Sequence, residues 1–388
     1  MGIKNFISSF ILKFSNVRTK NVFLDHHKYL GKHENSLKIY GHPPRNMILS
    51  PFNMIFDPMD RLLIVSFEED PIYYSIELQI FHKIDKDYPL VILYRKDNMM
   101  DIYYTNEVVV KNREKMIMDL LTNVSFNQLE EIEYKFQFDE MGLDAYLFLK
   151  DKLEEEIEFK IKENTPGRDL VSILAPISTV SKKPEYFPIV FLNKFGMVIK
   201  ENTEIFVKIH GFSRDITEMP VRMNKMSYYS ARYSLEPVIC KWNNNYSGSI
   251  DPLILKVPTL NISDENITYD LINNSDYFEI KQIYGNDDEG HTLSFDFSPA
   301  IPNLLSLRSN SKINGRFSTI IDKKKGVFAG KYHLARIGEA IELSITPNKG
   351  WQPFPGKLWL KTYKWISKIH IQDIRDIKIS SYWRRIKG

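Results

Sequence analysis

The stretch Gly142–Asn164 overlies Gly326–Asn348 without a gap, at an offset of 184 positions. Identical residues recur at Gly142/Gly326, Ala145/Ala329, Glu155/Glu339, Ile157/Ile341, Glu158/Glu342, Ile161/Ile345 and Asn164/Asn348. Other positions agree in kind, with Phe159 against Leu343 and Leu153 against Ile337. An apolar-aspartate pair (Phe138-Asp139, Ile321-Asp322) precedes each copy. An offset near half of 388 residues is what duplication of one domain produces, so the repeat predicts two similar halves. A cleft between halves is a common ligand site.

The repeat also predicts the kind of structure. Ile157, Phe159 and Ile161 alternate with Glu156, Glu158, Lys160 and Lys162. That period of two is a half-buried antiparallel strand with a solvated outer face. Glu204–His210 and Ala340–Thr346 repeat the pattern, and Leu62–Phe67, Tyr73–Ile80, Leu90–Tyr94 and Ile102–Val110 read as further strands. Asn112–Asn123 is the clearest interior helix, through Met116, Ile117, Leu120 and Leu121. Aromatic residues make up 13% of the chain and favour sheets over helices. Many short strands with few helices predict sandwiches or barrels rather than βαβ units.

The termini differ from the body in charge. Residues 1–45 and 357–388 carry a large excess of Lys and Arg, so a net charge of only +3 leaves the body acidic. Basic ends suit an anionic surface or the body itself, while a nucleic-acid binder is usually basic over a whole face. No nucleic-acid partner is therefore expected. Ile3, Phe6, Ile7, Phe10, Ile11 and Phe14 fall on one helical face, opposite Lys4, Ser8, Ser9 and Lys13. The expectation is an amphipathic helix over residues 1–20. It either docks on its own domain or makes peripheral membrane contact through residues 1–16. The one cysteine, Cys240, permits no intrachain disulfide, and the expected location is cytoplasmic, with membrane association as an addition.

Two tandem β-rich halves with aromatic interiors, no disulfide, and a Gly-x-x-Ala strand pair (Gly142/Ala145, Gly326/Ala329) give the chain its one likeness. The pattern over residues 60–388 resembles tandem lipocalin-like proteins, the group that contains carotenoid hydratase and tocopherol cyclase. The Trp-rich opening strand associated with that group is missing here. The resemblance implies two tandem antiparallel β-barrels handling isoprenoid-type apolar molecules. It carries over no residue. The expected division is an amphipathic helix over 1–20, a first barrel over 21–215 and a second over 216–388. Pro220 and the polar stretch around it mark the boundary.

Phosphate-loop, dinucleotide, zinc-protease and serine-hydrolase motifs are all absent from the sequence. Asp25-His26-His27 with His33 and His42 matches no metal spacing, because adjacent residues of an extended chain point to opposite sides. No metal and no cofactor are expected. Glu68-Glu69-Asp70 and Glu154-Glu155-Glu156 read as solvated acidic runs. The candidate ligand-binding residues are Asp101, Tyr103, Asp296, Trp351 and Phe354. Asp101 adjoins Ile102-Tyr103-Tyr104, and Asp296 stands between Phe295 and Phe297, where alternation sends it to the opposite face. Trp351 and Phe354 belong to the rigid string Gly350–Gly356, which can plug or cover a barrel end.

The resulting expectation is a mainly β, tandem-barrel protein that binds an apolar or lipid-like small molecule without catalysis. Two alternatives stand beside it. One is a cofactor-independent cyclase, hydratase or isomerase acting on an isoprenoid-like substrate through a buried carboxyl. The other is a peripheral membrane or assembly scaffold.

Overall fold

The computed structural model describes residues 36–386 apart from 58, 84–85, 112–122, 168, 175–182, 221, 223–225, 257–259, 265–266, 287–291, 321–326 and 350–362. The expected helices over 1–20 and 112–123 lie outside or almost wholly outside these residues. The protein is mainly β. No helix among the described residues is long and apolar enough to cross a membrane.

The chain forms two compact units that are interleaved in sequence. One takes its described residues from 59–174 and 191–239, the other from 36–57, 183–190 and 240–386. The division is therefore not the expected cut between residues 215 and 216. Sequence punctuation marked a boundary near Pro220. The strand Tyr228–Trp242 begins after that point, and the last division, between Ile239 and Cys240, falls inside it.

The first unit is a sandwich. Its smaller sheet has five strands: Phe212–Arg214, Thr203–Ile209, Glu156–Glu163, Gly142–Lys150 and Glu133–Asp139, in that spatial order. Its larger sheet includes Tyr228–Trp242, Arg61–Ser66, Tyr73–Lys83, Lys86–Arg95, Met99–Tyr104 and Asn123–Gln128. The last two of these pair in parallel. A parallel pair needs a crossover, and the chain makes it through the helix Glu107–Lys111. This corrects the strand expected as far as Val110. Asn106 Oδ1 accepts from Val108 N at 2.9 Å, and this N-cap outweighs the β preference of the valines. Alternate residues of both sheets meet in one core that includes Leu63, Val65, Ile76, Leu78, Leu147, Ile157, Phe159 and Val207.

The second unit is built on a sheet of ten strands. Nine of them, from Asn261–Asp264 to Asp376–Arg385, pair in sequence order as a meander, and Tyr246–Ser249 adds to the last. The ladders of both units are open paths among the described residues, not the closed rings that barrels require. The buried face of the meander is occupied by the chain's own rings. Trp242 stacks on Phe295 with centroids 4.2 Å apart, Phe187 lies 4.9 Å from Trp383, and Phe52 lies 5.4 Å from Phe297. Trp383 Nε1 donates to Asn243 O at 2.8 Å, which satisfies its polar end. Packed rings of this kind contribute about 0.5–1.5 kcal/mol per pair beyond their area.

The repeated segments show how far the internal likeness extends. Glu156–Glu163 and Ala340–Lys349 are both strands, and Ile157 and Ile341 are both buried with the same phase. Their preceding strands do not match. Ile157 faces Leu149, whereas Ile341 faces Arg336 rather than His333, the residue a constant offset requires. The first hairpin turns through residues 151–155, and the second through Gly338 and Glu339 alone. That three-residue difference is odd, so it sends aligned residues to opposite faces. Leu147 is buried where its counterpart Lys331 is exposed. One copy lies in a sandwich and the other in a meander, which corrects the expectation of two similar halves.

The shared phase is testable. Ile157→Asp and Ile341→Asp are each expected to cost at least about 3 kcal/mol, because an unpaired charge enters the core. Glu158→Gln should cost less than about 1 kcal/mol, since its partner Lys208 is a surface cation. Chemical denaturation of the three variants measures this, and wild-type stability for either aspartate variant would refute the assigned register.

Candidate functional site

Three buried aspartates gather at one end of the first unit, and one of them is Asp101. Asp70 precedes Pro71 in the loop before Tyr73–Lys83. Its Oδ1 accepts from Ile72 N and Tyr73 N at 2.8 and 2.7 Å, an Asx-type turn. Asp151 opens the turn after Gly142–Lys150 and uses Oδ1 in the same way, toward Leu153 N and Glu155 N. In both residues Oδ2 remains for a cation or imidazole. Arg214 Nε donates to Asp70 at 2.9 Å, and His210 Nε2 lies 3.0 Å from Asp151 Oδ2.

Arg214 and His210 come from one hairpin. Its two-residue turn, His210-Gly211, has φ of +53° and +78°. A tight hairpin with positive φ at both centres is the type I′ pattern, which costs nothing at glycine and something at histidine. The hydrogen bond from His210 N to Glu156 O, at 2.8 Å, and the Asp151 contact hold the histidine there.

Asp101 is the third member. Tyr73 Oη donates to its Oδ2 at 2.9 Å, Arg95 Nη1 stands 3.2 Å from the same oxygen, and Lys152 Nζ donates to Oδ1 at 2.9 Å. Burial pushes this carboxyl upward, but hydrogen bonds from Lys152, Tyr73 and Arg95 prevail and hold it below the usual carboxylate range. An acid held ionised this way has no proton to donate near neutral pH. Tyr103 is fully buried nearby, and its hydroxyl makes no hydrogen bond among the described residues. Burial, and then the charges of Asp101 and Asp151, raise its pKa. The cluster therefore fastens three turns, those at Asp70, Asp151 and His210-Gly211.

The structure brings Asp101 and Tyr103 together and separates them from Asp296. Asp296 is half-buried on Thr292–Ile301, opposite Gln282 and Ser318, while Phe295 and Phe297 point into the second unit's core. That is the arrangement alternation predicted. Trp351 and Phe354 lie outside the described residues. Cys240 is buried, and burial raises its thiol pKa. No group of three or more metal-ligating side chains occurs among the described residues. Asp151, Lys152, His210 and Arg214 carry no signal in the sequence, and Asp70, expected in a solvated acidic run, is instead buried because its turn and Arg214 take up both its oxygens. Asp70-Pro71 was the one available cue, since Asp before Pro initiates turns.

A second arrangement lies on the opposite face of the larger sheet. Registered pairing places Arg232, Ile64, Glu77, Ile92 and Ile102 in one row. The row beside it runs Ser234, Leu62, Gln79, Leu90 and Tyr104. On the other side Ser66, Ser75, Tyr94 and Met100 align. Most of these residues are buried, while Arg232, Ile64, Tyr94 and the neighbouring Tyr74 are half-buried. The outer face of the five-stranded sheet differs, for it carries Lys135, Asp144, Glu158, Lys160, Glu204 and Lys208 in ion pairs near water.

The polar members of this face form an island. Gln79 Nε2 donates to Glu77 Oε1, and Tyr94 Oη donates to Glu77 Oε2 at 2.7 Å. Tyr74 and Tyr94 rings lie 6.1 Å apart. Burial raises the pKa of both tyrosines. No protein-family model, curated protein or solved structure matches the chain.

The aspartate cluster yields a stability prediction. Asp101→Asn should cost about 2–3 kcal/mol, less than the about 3–5 of a fully buried pair, because Lys152 and Arg95 rehydrate in part. A depressed carboxyl pKa stabilises above its unfolded value of about 3.9, and the effect is lost as pH falls through the lower folded value. The gap between wild type and Asp101→Asn should thus be full at pH 7 and close in acid below about pH 3.9. Tyr73→Phe should destabilise by about 1.5–3 kcal/mol, whereas Tyr103→Phe should be neutral or stabilising, since it removes an unsatisfied hydroxyl. Urea titrations across pH test both statements.

Proposed function

We propose that the chain is a non-catalytic binding protein for an apolar or lipid-like small molecule, and that the ligand meets the half-buried part of the larger sheet's second face, around Ile64 and Tyr74. The carrying observation is the composition of that face. Leu62, Ile64, Leu90, Ile92, Met100 and Ile102 give the larger sheet a second apolar face where an antiparallel sheet in water would show charges, and within it Ile64 is half-buried while the others are covered by the chain. Apolar floors with a few placed polar groups are the common form of small-molecule sites.

The reading is preferred to a cyclase, hydratase or isomerase. Such an enzyme would need a protonated buried carboxyl, and Asp101 is held ionised. A cytoplasmic location and peripheral membrane contact through residues 1–16 belong to the same proposal. Their support is the single cysteine and the apolar face from Ile3 to Phe14. The lipocalin-like barrel resemblance supports an apolar ligand only by analogy of pattern.

Titration with the uncharged dye N-phenyl-1-naphthylamine is the test. Saturable binding by wild type is expected. Ile64→Glu should weaken it about tenfold or more, since a charge replaces an apolar contact worth over about 1.4 kcal/mol. Circular dichroism confirms that the variant is folded. Absence of saturable binding by wild type, or undiminished binding by a folded Ile64→Glu protein, defeats the proposal.

A further inference from the structure

The fastened end of the first unit carries an outward surface that the aspartate cluster does not use. Leu153 and Phe212 are 68% and 66% exposed, the two most exposed large apolar side chains among the first unit's described residues. They stand on neighbouring turns, since His210 Nε2 meets Asp151 and His210 N donates to Glu156 O at 2.8 Å. Both are held in place. Leu153 N donates to Asp151 Oδ1 at 2.7 Å, and Glu154 after it has φ of +62°. The Arg214 guanidinium lies 5.5 Å from the centre of the Phe212 ring, while its Nε is bound to Asp70. Apolar groups on turns already ordered lose little further freedom when a partner covers them.

The charges around them are sorted by direction. The cations of these turns are drawn toward the buried aspartates. Lys152 and Arg95 donate to Asp101, Arg214 to Asp70, and Lys96 Nζ to the Asp70 carbonyl. The acids Glu68, Glu69, Glu154, Glu155 and Asp215 are exposed and make no salt bridge among the described residues. Glu68 N donates to Asp215 O at 2.8 Å, which joins the Glu68-Glu69 loop to the hairpin of Phe212. The surface is therefore two fixed apolar groups within an acidic rim. It fits a segment that is apolar on one side and basic on the other.

One segment of this chain has that character in sequence. Within residues 1–20 the apolar residues from Ile3 to Phe14 recur at helical spacing, and Lys4, Lys13, Arg18 and Lys20 stand with no acid among them. Residues 21–35 intervene before Ser36 and span up to about 50 Å when extended, so the segment is not confined to its sequence neighbours. We infer that the surface bearing Leu153 and Phe212 docks residues 1–20 of the same chain. The apolar stripe covers Leu153 and Phe212, and the lysines meet the acidic rim. Membrane contact uses the same stripe, so the two states exclude one another and the docked state is autoinhibitory. An acidic rim is repelled by an anionic bilayer, so the segment must leave it to reach one. This inference rests on the membrane contact proposed above and adds the contact that restrains it.

Zero-length carbodiimide cross-linking of the full chain, read by mass spectrometry, tests the docking without a membrane. Mixing unlabelled with isotope-labelled protein separates links within one chain from links between copies. Links within one chain from Lys4 or Lys13 to Glu68, Glu69, Glu154 or Glu155 are expected. Leu153→Ser combined with Phe212→Ser should reduce their yield about fivefold or more, and both positions are exposed, so the core is untouched. Co-sedimentation with vesicles of phosphatidylserine and phosphatidylcholine reads the restraint, and the same double variant is expected to bind about fivefold or more tightly than wild type. Absence of the links in wild type overturns the docking, and so does an undiminished yield in the folded variant. Links found only between copies overturn it too, because the occupant is then a second copy's segment. Links with equal vesicle binding by both proteins overturn the restraint. Links with no vesicle binding by either protein overturn the membrane contact itself and the autoinhibitory role with it.

Discussion

Three aspartates hold one end of the first unit, and the larger sheet's geometry depends on them. Each does two jobs with its two oxygens or three donors. Asp70 and Asp151 shape their own turns through one oxygen and restrain the His210–Arg214 hairpin through the other. Asp101 then ties Lys152 of one turn to Arg95 and Tyr73 of two strands. Charge-assisted hydrogen bonds of this kind are short and directional, so they specify position as well as contribute energy. Breaking any one would leave buried charge without compensation. The cluster consequently behaves as a fastening, and the ionised Asp101 carboxylate is unsuited to proton transfer.

With that end fastened, the other face of the same sheet stays in register. The rows that contain Arg232, Ile64 and Glu77 exist because strands distant in sequence pair without slippage. A slip of one residue would bring Leu63 and Leu78 to this face and send Arg232 into the core. The core face and the opposite face are thus two outcomes of one register. The second unit shows the contrary use of aromatic residues. Its rings pack on one another, and Phe52, Phe187 and Trp242 fill the buried side of the meander. Aromatic richness marks a core there, and the apolar ligand surface proposed here is aliphatic.

The repeated segment illustrates the reach of local pattern. Alternation at Ile157 and Ile341 correctly places both side chains inward, since a strand's period of two is a local property. Turn length is decided by what the turn must do. The longer turn carries Asp151 and Lys152 into the aspartate cluster, while the shorter one needs only Gly338 at positive φ. Three additional residues reverse the facing of the whole preceding strand, and a gapless comparison is blind to that.

The inward phase of the alternating strands and the outward placement of Asp296 were determined by the sequence alone, because each depends on residues one or two positions apart. Asp101 and Tyr103 were legible as unusual, a polar pair within an apolar run, but their role was not. Lys152 reaches Asp101 from 51 positions away, and Arg214 reaches Asp70 from 144. Arg232 attracted no notice in sequence, where it sits between an alanine and a tyrosine in an ordinary strand. Only the tertiary structure sets it beside Ile64 and near a carboxylate already in use. Which polar groups are satisfied is a property of the assembled sheet, for hydrogen-bond partners are chosen by pairing across strands and not by neighbours along the chain.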